Sequence, residues 1–207
     1  MRDYKIHGLF PVPVYITDIG REFTKKELKF IKDQKNYCQN NLGNIHTKDN
    51  YILNKSELKD IKNFIEEVCQ SYLDNIICPK GDVKIYVTQS WLNYTEENQY
   101  HHKHEHPNSV ISGVLYFNSD IKNDKILFSH PTPYQQIRPE TDEEKFNLWN
   151  SKTWWFSVET GNLFMFPSST THQVETKQGN NTRISLAFNT FYKGSLGSNI
   201  KLTELIL

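Results

Sequence analysis

After Gly81 the apolar residues of this chain stop recurring every three or four positions and begin to alternate with polar ones, a change of period that limits the fold more than any other feature. Before it, Leu58, Ile61, Ile65, Val68 and Tyr72 follow the spacing of an amphipathic helix. After it, Val83, Ile85 and Val87 alternate with Lys84, Tyr86 and Thr88, and similar short runs occur at Val110 to Phe117, Ile126 to Ser129, Trp154 to Val158, Leu163 to Phe166 and Arg183 to Tyr192. Helices followed by many short strands predict a mainly β (α+β) fold. The expected architecture is a β-sandwich or cupin-like jelly roll with N-terminal helices packed on one outer face.

The last run is the most informative strand. Ile184, Leu186 and Phe188 share one face, and Arg183, Ser185, Ala187 and Asn189 share the other. If helices cover the apolar face, the polar set lines the interior of the roll, as a ligand cavity requires. Upstream, Leu9 to Ile19 is apolar and β-branched but interrupted by Pro11 and Pro13, which predicts an extended edge strand. Thr24 and Glu27 form a capping box, and Phe23 is placed to pack on Leu28. A helix therefore runs to about Lys35 with Leu28 and Ile31 as its core face. Residues 36–55, rich in Asn, Lys and Asp, read as a loop, and the second helix starts at Ser56 and stops before Cys78 and Pro79. Around the run at Ile126, the stretch Asn118 to Lys152 is the one long irregular insertion, polar and punctuated by Pro131, Pro133 and Pro139, and is a candidate rim or lid. Without repeats or low-complexity tracts, residues 1–207 read as a single domain, with 1–80 as helical and edge-strand support and 81–192 as the jelly-roll core.

Charge and cysteine usage exclude several function classes. Lys+Arg and Asp+Glu are both 24, so no basic surplus exists to neutralise a nucleic-acid backbone or an acidic membrane. Cys38, Cys69 and Cys78 are an odd number without metal-ligand spacing, which fits unpaired thiols in a reducing compartment. No stretch is long and apolar enough for a signal sequence or a membrane span. The expectation is a cytoplasmic protein.

Four of the eight histidines, His101, His102, His104 and His106, stand within six residues, and His172 stands eleven positions before Arg183. In a strand, residues two apart share a face, so His104 and His106 can reach one metal while Glu105 points away. His102 and His104 have the same spacing and are the alternative pair. His172, on another strand, supplies a third ligand, and three ligands on one side of an ion leave positions open for substrate and oxygen. Arg183 beside Ser185 on the inward face can pair bidentately with a carboxylate. Against this stands the ordinary reading of the same residues as a solvated polar strand, a core histidine and a surface arginine.

The segments Asn93-Tyr94, His104-Glu105-His106-Pro107-Asn108-Ser109, Ser112-Gly113-Val114-Leu115-Tyr116, Gly161 to Pro167, His172, Arg183-Ile184-Ser185 and Phe188-Asn189 resemble the 2-oxoglutarate and Fe(II)-dependent oxygenase superfamily. The likeness is greatest to a branch of bacterial and phage proteins grouped as oxygenases, with H-x-H-P followed by S-G-V-x-Y, and the Leu9-Phe10-Pro11 start also fits that branch. The resemblance implies a double-stranded β-helix with His104, His106 and His172 on Fe(II). Arg183 and Ser185 would hold the distal carboxylate of 2-oxoglutarate, joined by Tyr94. It also implies oxidative decarboxylation of 2-oxoglutarate by O2 to succinate and CO2, coupled to hydroxylation of a second substrate. In that register His102 supports the site or faces substrate, and His101 is solvated.

Most of the superfamily has H-x-D or H-x-E where this chain has His106, so a neutral ligand replaces an anionic one and the ion keeps its full charge. Two rival readings remain, a three-histidine cupin-like dioxygenase that does not use 2-oxoglutarate and a jelly roll that binds metal or sugar without turnover. Neither needs the carboxylate anchor of Arg183 and Ser185. Trp91, Tyr100, Trp149, Trp154 and Trp155 are candidates for a substrate pocket, although aromatic residues in strands are ordinarily core.

Overall fold

Helix α1 (Lys25–Gln34) begins at the expected capping box: Thr24 Oγ1 accepts from the Glu27 amide at 3.2 Å, and the Glu27 carboxylate accepts from the Thr24 amide at 2.7 Å. The core face differs from expectation. Leu28 is 44% exposed, Ile31 is buried, and Phe23 lies against Phe117, ring centroids 4.4 Å apart. Glu27 is buried instead because Arg21 forks onto its two carboxylate oxygens at 2.7 and 2.9 Å. Helix α2 (Lys59–Tyr72), preceded by a 3-10 turn from Ser56 to Leu58, buries the predicted stripe of Ile61, Ile65, Val68 and Tyr72.

The computed structural model describes residues 2–130 and 139–207. Its strands are β1 (Tyr15–Asp18), β2 (Cys38–Asn40), β3 (Ile45–Thr47), β4 (Lys84–Thr95), β5 (His101–His104), β6 (Ile111–Asn118), β7 (Lys125–Ser129), β8 (Thr153–Ser157), β9 (Asn162–Pro167), β10 (His172–Val174) and β11 (Arg183–Lys193), with a last hairpin of β12 (Ser195–Leu196) and β13 (Leu205–Ile206). They pair antiparallel into a seven-stranded sheet, β1-β9-β6-β11-β4-β3-β2, and a four-stranded sheet, β5-β10-β7-β8. The two face each other: Phe128 of the small sheet meets Phe166 of the large one edge-on at 4.9 Å, and Val114, Tyr116, Ile126 and Phe164 complete the layer between them. On the other face of the large sheet, Ile31, Ile61, Ile65 and Tyr72 pack on Leu92, Tyr94, Leu115, Leu186 and Phe188. This is the jelly roll with helices on one outer face that the change of period predicts.

Three segments depart from the reading. The polar stretch 36–55 is not a loop but holds β2 and β3, which widen the large sheet. Its turn runs through Gly43 at φ +96°, where a Cβ would lie 2.6 Å from the carbonyl oxygen of Tyr100 and 2.8 Å from its ring, while the Tyr100 amide donates to the Gly43 carbonyl at 3.0 Å. Short strands beside a close backbone approach leave no hydrophobic alternation to read. The edge strand contracts to Tyr15–Asp18, leaving Leu9 and Phe10 exposed. Within Asn118 to Lys152, β7 is a pairing strand; Pro131 and Pro133 lie outside the described residues.

Gly113 is read from its neighbour. A Cβ there would sit 2.2 Å from Cζ of the fully buried Phe188, its cross-strand partner, so the ring occupies the missing side chain's place. Gly113→Ala is expected to destabilise the fold by about 1–3 kcal/mol through overpacking, measured by urea unfolding. An unchanged midpoint would mean that the ring can swing away.

Candidate metal centre

The three predicted ligands meet because β10 and the turn before it hold the other two. His172 is the register partner of His104, and the His106 amide donates to the Ser168 carbonyl at 2.9 Å. One ligand atom from each of His104, His106 and His172 lies within 4.8 Å of the others. Behind them, Ser168 Oγ bonds Ser112 Oγ at 2.8 Å and Ser109 Oγ at 2.7 Å, and Ser112 donates to Asn189 Oδ1 at 2.8 Å. The serines and asparagine of the sequence motif thus brace β6, β11 and the turn under the histidines.

Nδ1 of His104 lies 2.8 Å from the carbonyl oxygen of His102, and Nδ1 of His172 lies 3.0 Å from that of Thr170. A ring nitrogen facing a carbonyl carries the proton, which leaves Nε2 as the lone-pair donor in both rings. Burial, reinforced by the neighbouring imidazoles, pushes His172 down to about 3 and His106 to about 4, and also lowers His104. All three are therefore neutral at pH 7, the form that binds metal.

The neighbouring histidines do not follow the simple period. His172 pairs with His104 and Val174 with His101, so two steps on β10 span three on β5, a bulge at His102 and Lys103. The extra residue turns His101 into the cavity, its ring stacked on His104 at 4.7 Å and 14°. His101 is thus not solvated as expected; burial lowers it to about 2. The alternative pair of His102 and His104 also lies close, ring centroids 4.8 Å apart, but the set of ligand atoms that includes His172 takes His106, not His102.

The cavity lies between the two sheets, and Val114, Ile126 and Phe166 are its apolar lining. Arg183 and Ser185 both line it, as β11 alternation predicts, and Arg183 is 3% exposed. Its ionic partner among the described residues is Asp124, Nη1 to Oδ1 at 3.5 Å, while the fully buried Lys177 ammonium stands 3.8 Å from the same oxygen. Lys177 also donates to Asn181 Oδ1 at 2.7 Å and the Gln178 carbonyl at 3.0 Å, and Asp124 accepts from the Asp120 amide at 2.8 Å. Two buried cations formally face one carboxylate, a surplus of one positive charge that an anionic ligand would balance. Asn93, which also lines the cavity, has a buried Oδ1 without a partner among the described residues. Neutral imidazoles and an under-partnered guanidinium fit a metal ion beside a carboxylate ligand, whereas the Asn93 amide oxygen is an acceptor that calls for a donor.

Tyr94 is not at the site. It lies on the helix side of β4, wholly buried, its hydroxyl donating to the Ile31 carbonyl at 2.5 Å. One register step shifts the face, so its neighbours Asn93 and Thr95 line the cavity. The cavity's tyrosine is Tyr116, paired across the sheet with Ser185; burial raises its hydroxyl's pKa and the nearby Arg183 opposes the shift. Alternation along β6 would have found it, since Val114 and Tyr116 oppose Leu115 and Phe117. Asp124 and Lys177 left no local signal, because only the fold brings them to Arg183. Of the aromatic candidates, Trp91 lines the cavity, 5.8 Å from the His106 ring, while Trp149, Trp154 and Trp155 are exposed.

Residues 89–189 match the model of a family described as "Putative 2OG-Fe(II) oxygenase", which accords with the resemblance drawn from the motifs. No curated protein matches the chain. Among solved structures, similar folds include an oxidoreductase of the 2OG-Fe(II) oxygenase family from Burkholderia pseudomallei (14% identity, 86% of this chain and 84% of that one, TM-score 0.55). HygX from Streptomyces hygroscopicus, solved with nickel, 2-oxoglutarate and hygromycin B, is 8% identical over 86% and 82% of the two chains, TM-score 0.56. A prolyl hydroxylase from Trichoplax adhaerens, in complex with a hypoxia inducible factor peptide, is 14% identical over 86% and 83%, TM-score 0.56. At these identities the likeness is one of fold.

Two outcomes are expected. His106→Ala lowers divalent-metal affinity by more than about 100-fold, beyond the range usual for supporting residues, whereas His102→Ala leaves the tightest binding unchanged. Metal analysis giving the reverse would restore the alternative pair. The second concerns pH. The unfolded chain protonates these histidines near 6.5, while folded His106 and His172 stay neutral to about 4 and 3, so the unfolded state binds more protons and stability falls as pH drops below 6.5. The metal-free protein, in which His101 too stays neutral in the fold, is expected to lose about 2–4 kcal/mol between pH 7.5 and 5.5, since each of the three groups contributes about 1.4 kcal/mol over that window. Urea unfolding with no slope in that window would contradict neutral burial.

Proposed function

We propose that this chain, whose residues 89–189 match the 2OG-Fe(II) oxygenase family model, is a 2-oxoglutarate- and Fe(II)-dependent dioxygenase acting as a hydroxylase. His104, His106 and His172 would hold Fe(II), and Arg183 with Ser185 would hold the distal carboxylate of 2-oxoglutarate. Fe(II), when bound, supplies the activation of O2 for oxidative decarboxylation of 2-oxoglutarate to succinate and CO2, coupled to oxidation of the primary substrate. The protein's own residues prepare the ground. Carbonyl partners hold the His104 and His172 rings with Nε2 free, and Asp124 fixes the guanidinium from behind. Val114, Ile126 and Phe166 give the cavity an apolar wall, which strengthens the pairing of Arg183 with a carboxylate.

The observation that carries this reading is Arg183, a buried guanidinium with one 3.5 Å carboxylate contact, in the same cavity as three neutral imidazoles. A cupin that dispenses with 2-oxoglutarate has no use for it. Residues 1–207 would act as one domain in which 1–80 buttress the roll. The protein would reside in the cytoplasm, where the free thiols of Cys38, Cys69 and Cys78 persist. No helix among the described residues is long and apolar enough to cross a membrane.

Arg183→Met is expected to weaken 2-oxoglutarate binding to the iron-loaded protein by roughly 30-fold or more, because loss of a desolvated charge partner costs about 2–5 kcal/mol. Iron affinity should be nearly unchanged, and Arg183→Lys should recover only part of the loss, since an ammonium lacks the fork. Anaerobic calorimetry showing no 2-oxoglutarate binding by the wild type, or equal binding by wild type and Arg183→Met, would instead support the three-histidine cupin.

A further inference from the structure

The bulge that turns His101 inward assembles a second set of imidazoles beside the first. His101, His102 and His104 each offer one ligand atom, all within 4.8 Å of one another, with ring centroids 4.7 to 5.2 Å apart. Two of these rings are under-used by the protein. His102 Nδ1 is buried and has no partner among the described residues, and the contact to His101 Nε2 is a 3.4 Å approach of the Asn41 amide. An orphaned ring nitrogen in a wall of imidazoles is a vacant ligand position, because a buried polar atom without a partner costs stability unless something binds it.

The location adds to this. An open groove on the surface is lined by Tyr100, His102, Lys103 and Glu175, and it meets the inner cavity at His101, Gln173 and Val174. His101, shared by groove and cavity, and His102, on the groove, therefore lie on the groove side of the inner three histidines.

We propose that His101, His102 and His104 form an outer position for a divalent transition ion, from which the ion passes to His104, His106 and His172. Nδ1 of His104 is engaged by the His102 carbonyl, so the ring has a single nitrogen free and the two positions are alternatives. An ion moving inward exchanges His101 and His102 for His106 and His172 while keeping His104 throughout. Imidazole donors favour Fe, Co, Ni, Cu and Zn over Mg and Ca, which sets the class of ion admitted. The proposal rests on the inner three histidines being a metal centre but is independent of 2-oxoglutarate.

Nickel(II) calorimetry on His106→Gln/His172→Gln tests it. This variant is expected to bind one ion per chain at least about tenfold more weakly than wild type, and adding His101→Gln and His102→Gln should weaken binding by about tenfold again. No nickel binding by the first variant at millimolar metal, or equal binding by both variants, would overturn the outer position. Binding by the first variant as tight as wild type would leave the outer position standing and sink the inner assignment. Should the inner substitutions prevent folding, His101→Gln/His102→Gln in an otherwise intact chain decides the matter. Stopped-flow loading of nickel should slow by about tenfold with equilibrium affinity unchanged; an unchanged loading rate overturns the proposal.

Discussion

The middle of the large sheet is dry on both faces, and the rest of the structure follows from that. Every residue of β6 from Ile111 to Phe117 is buried, one set under the helices and the other under the small sheet. A strand so placed must find a partner for each polar side chain it carries, since none can reach bulk water. The polar face of β11 thereby becomes functional material. Arg183 cannot be an idle surface cation there, and its company of Asp124, Lys177 and an interior cavity is what the dry setting requires.

The same dryness fixes the chemistry of the histidines. Largely buried, the imidazoles of His104, His106 and His172 are uncharged at neutral pH, and two of them have their tautomer set by a carbonyl two residues earlier in the chain. With the buried Arg183 and Lys177 both set against the buried Asp124, the region beside the cavity is receptive to an anion.

Much of this was legible in the residues. The change of period at Gly81 gave the order of helices and strands, and alternation in β11 placed Arg183 and Ser185 on the inner face before any coordinates. Where a local rule met a non-local cause, it failed. His101, expected to be solvated, faces the cavity because of a bulge that depends on pairing with β10, and the family likeness misplaced Tyr94 because it named a tyrosine without saying which face of β4 it would occupy. Leu28 follows the helical stripe yet faces solvent, since the Arg21 fork makes Glu27 the residue that α1 can bury. Asp124 and Lys177 could not have been found by spacing at all, lying 59 and 6 positions from Arg183 and meeting it only through the fold.

The contact between Gly43 and Tyr100 bears on how far the centre can be treated as a module. The hairpin of β2 and β3 belongs to the part of the chain with no candidate ligand, yet its turn touches the backbone one residue before the first histidine, with no room for a side chain between them. That turn is a mechanical stop for the start of β5. A jelly roll excised after Gly81, or transplanted onto another helical base, would keep every histidine of the cluster and lose the surface that sets their height. The centre belongs to the whole chain, and grafting it elsewhere means carrying the hairpin with it.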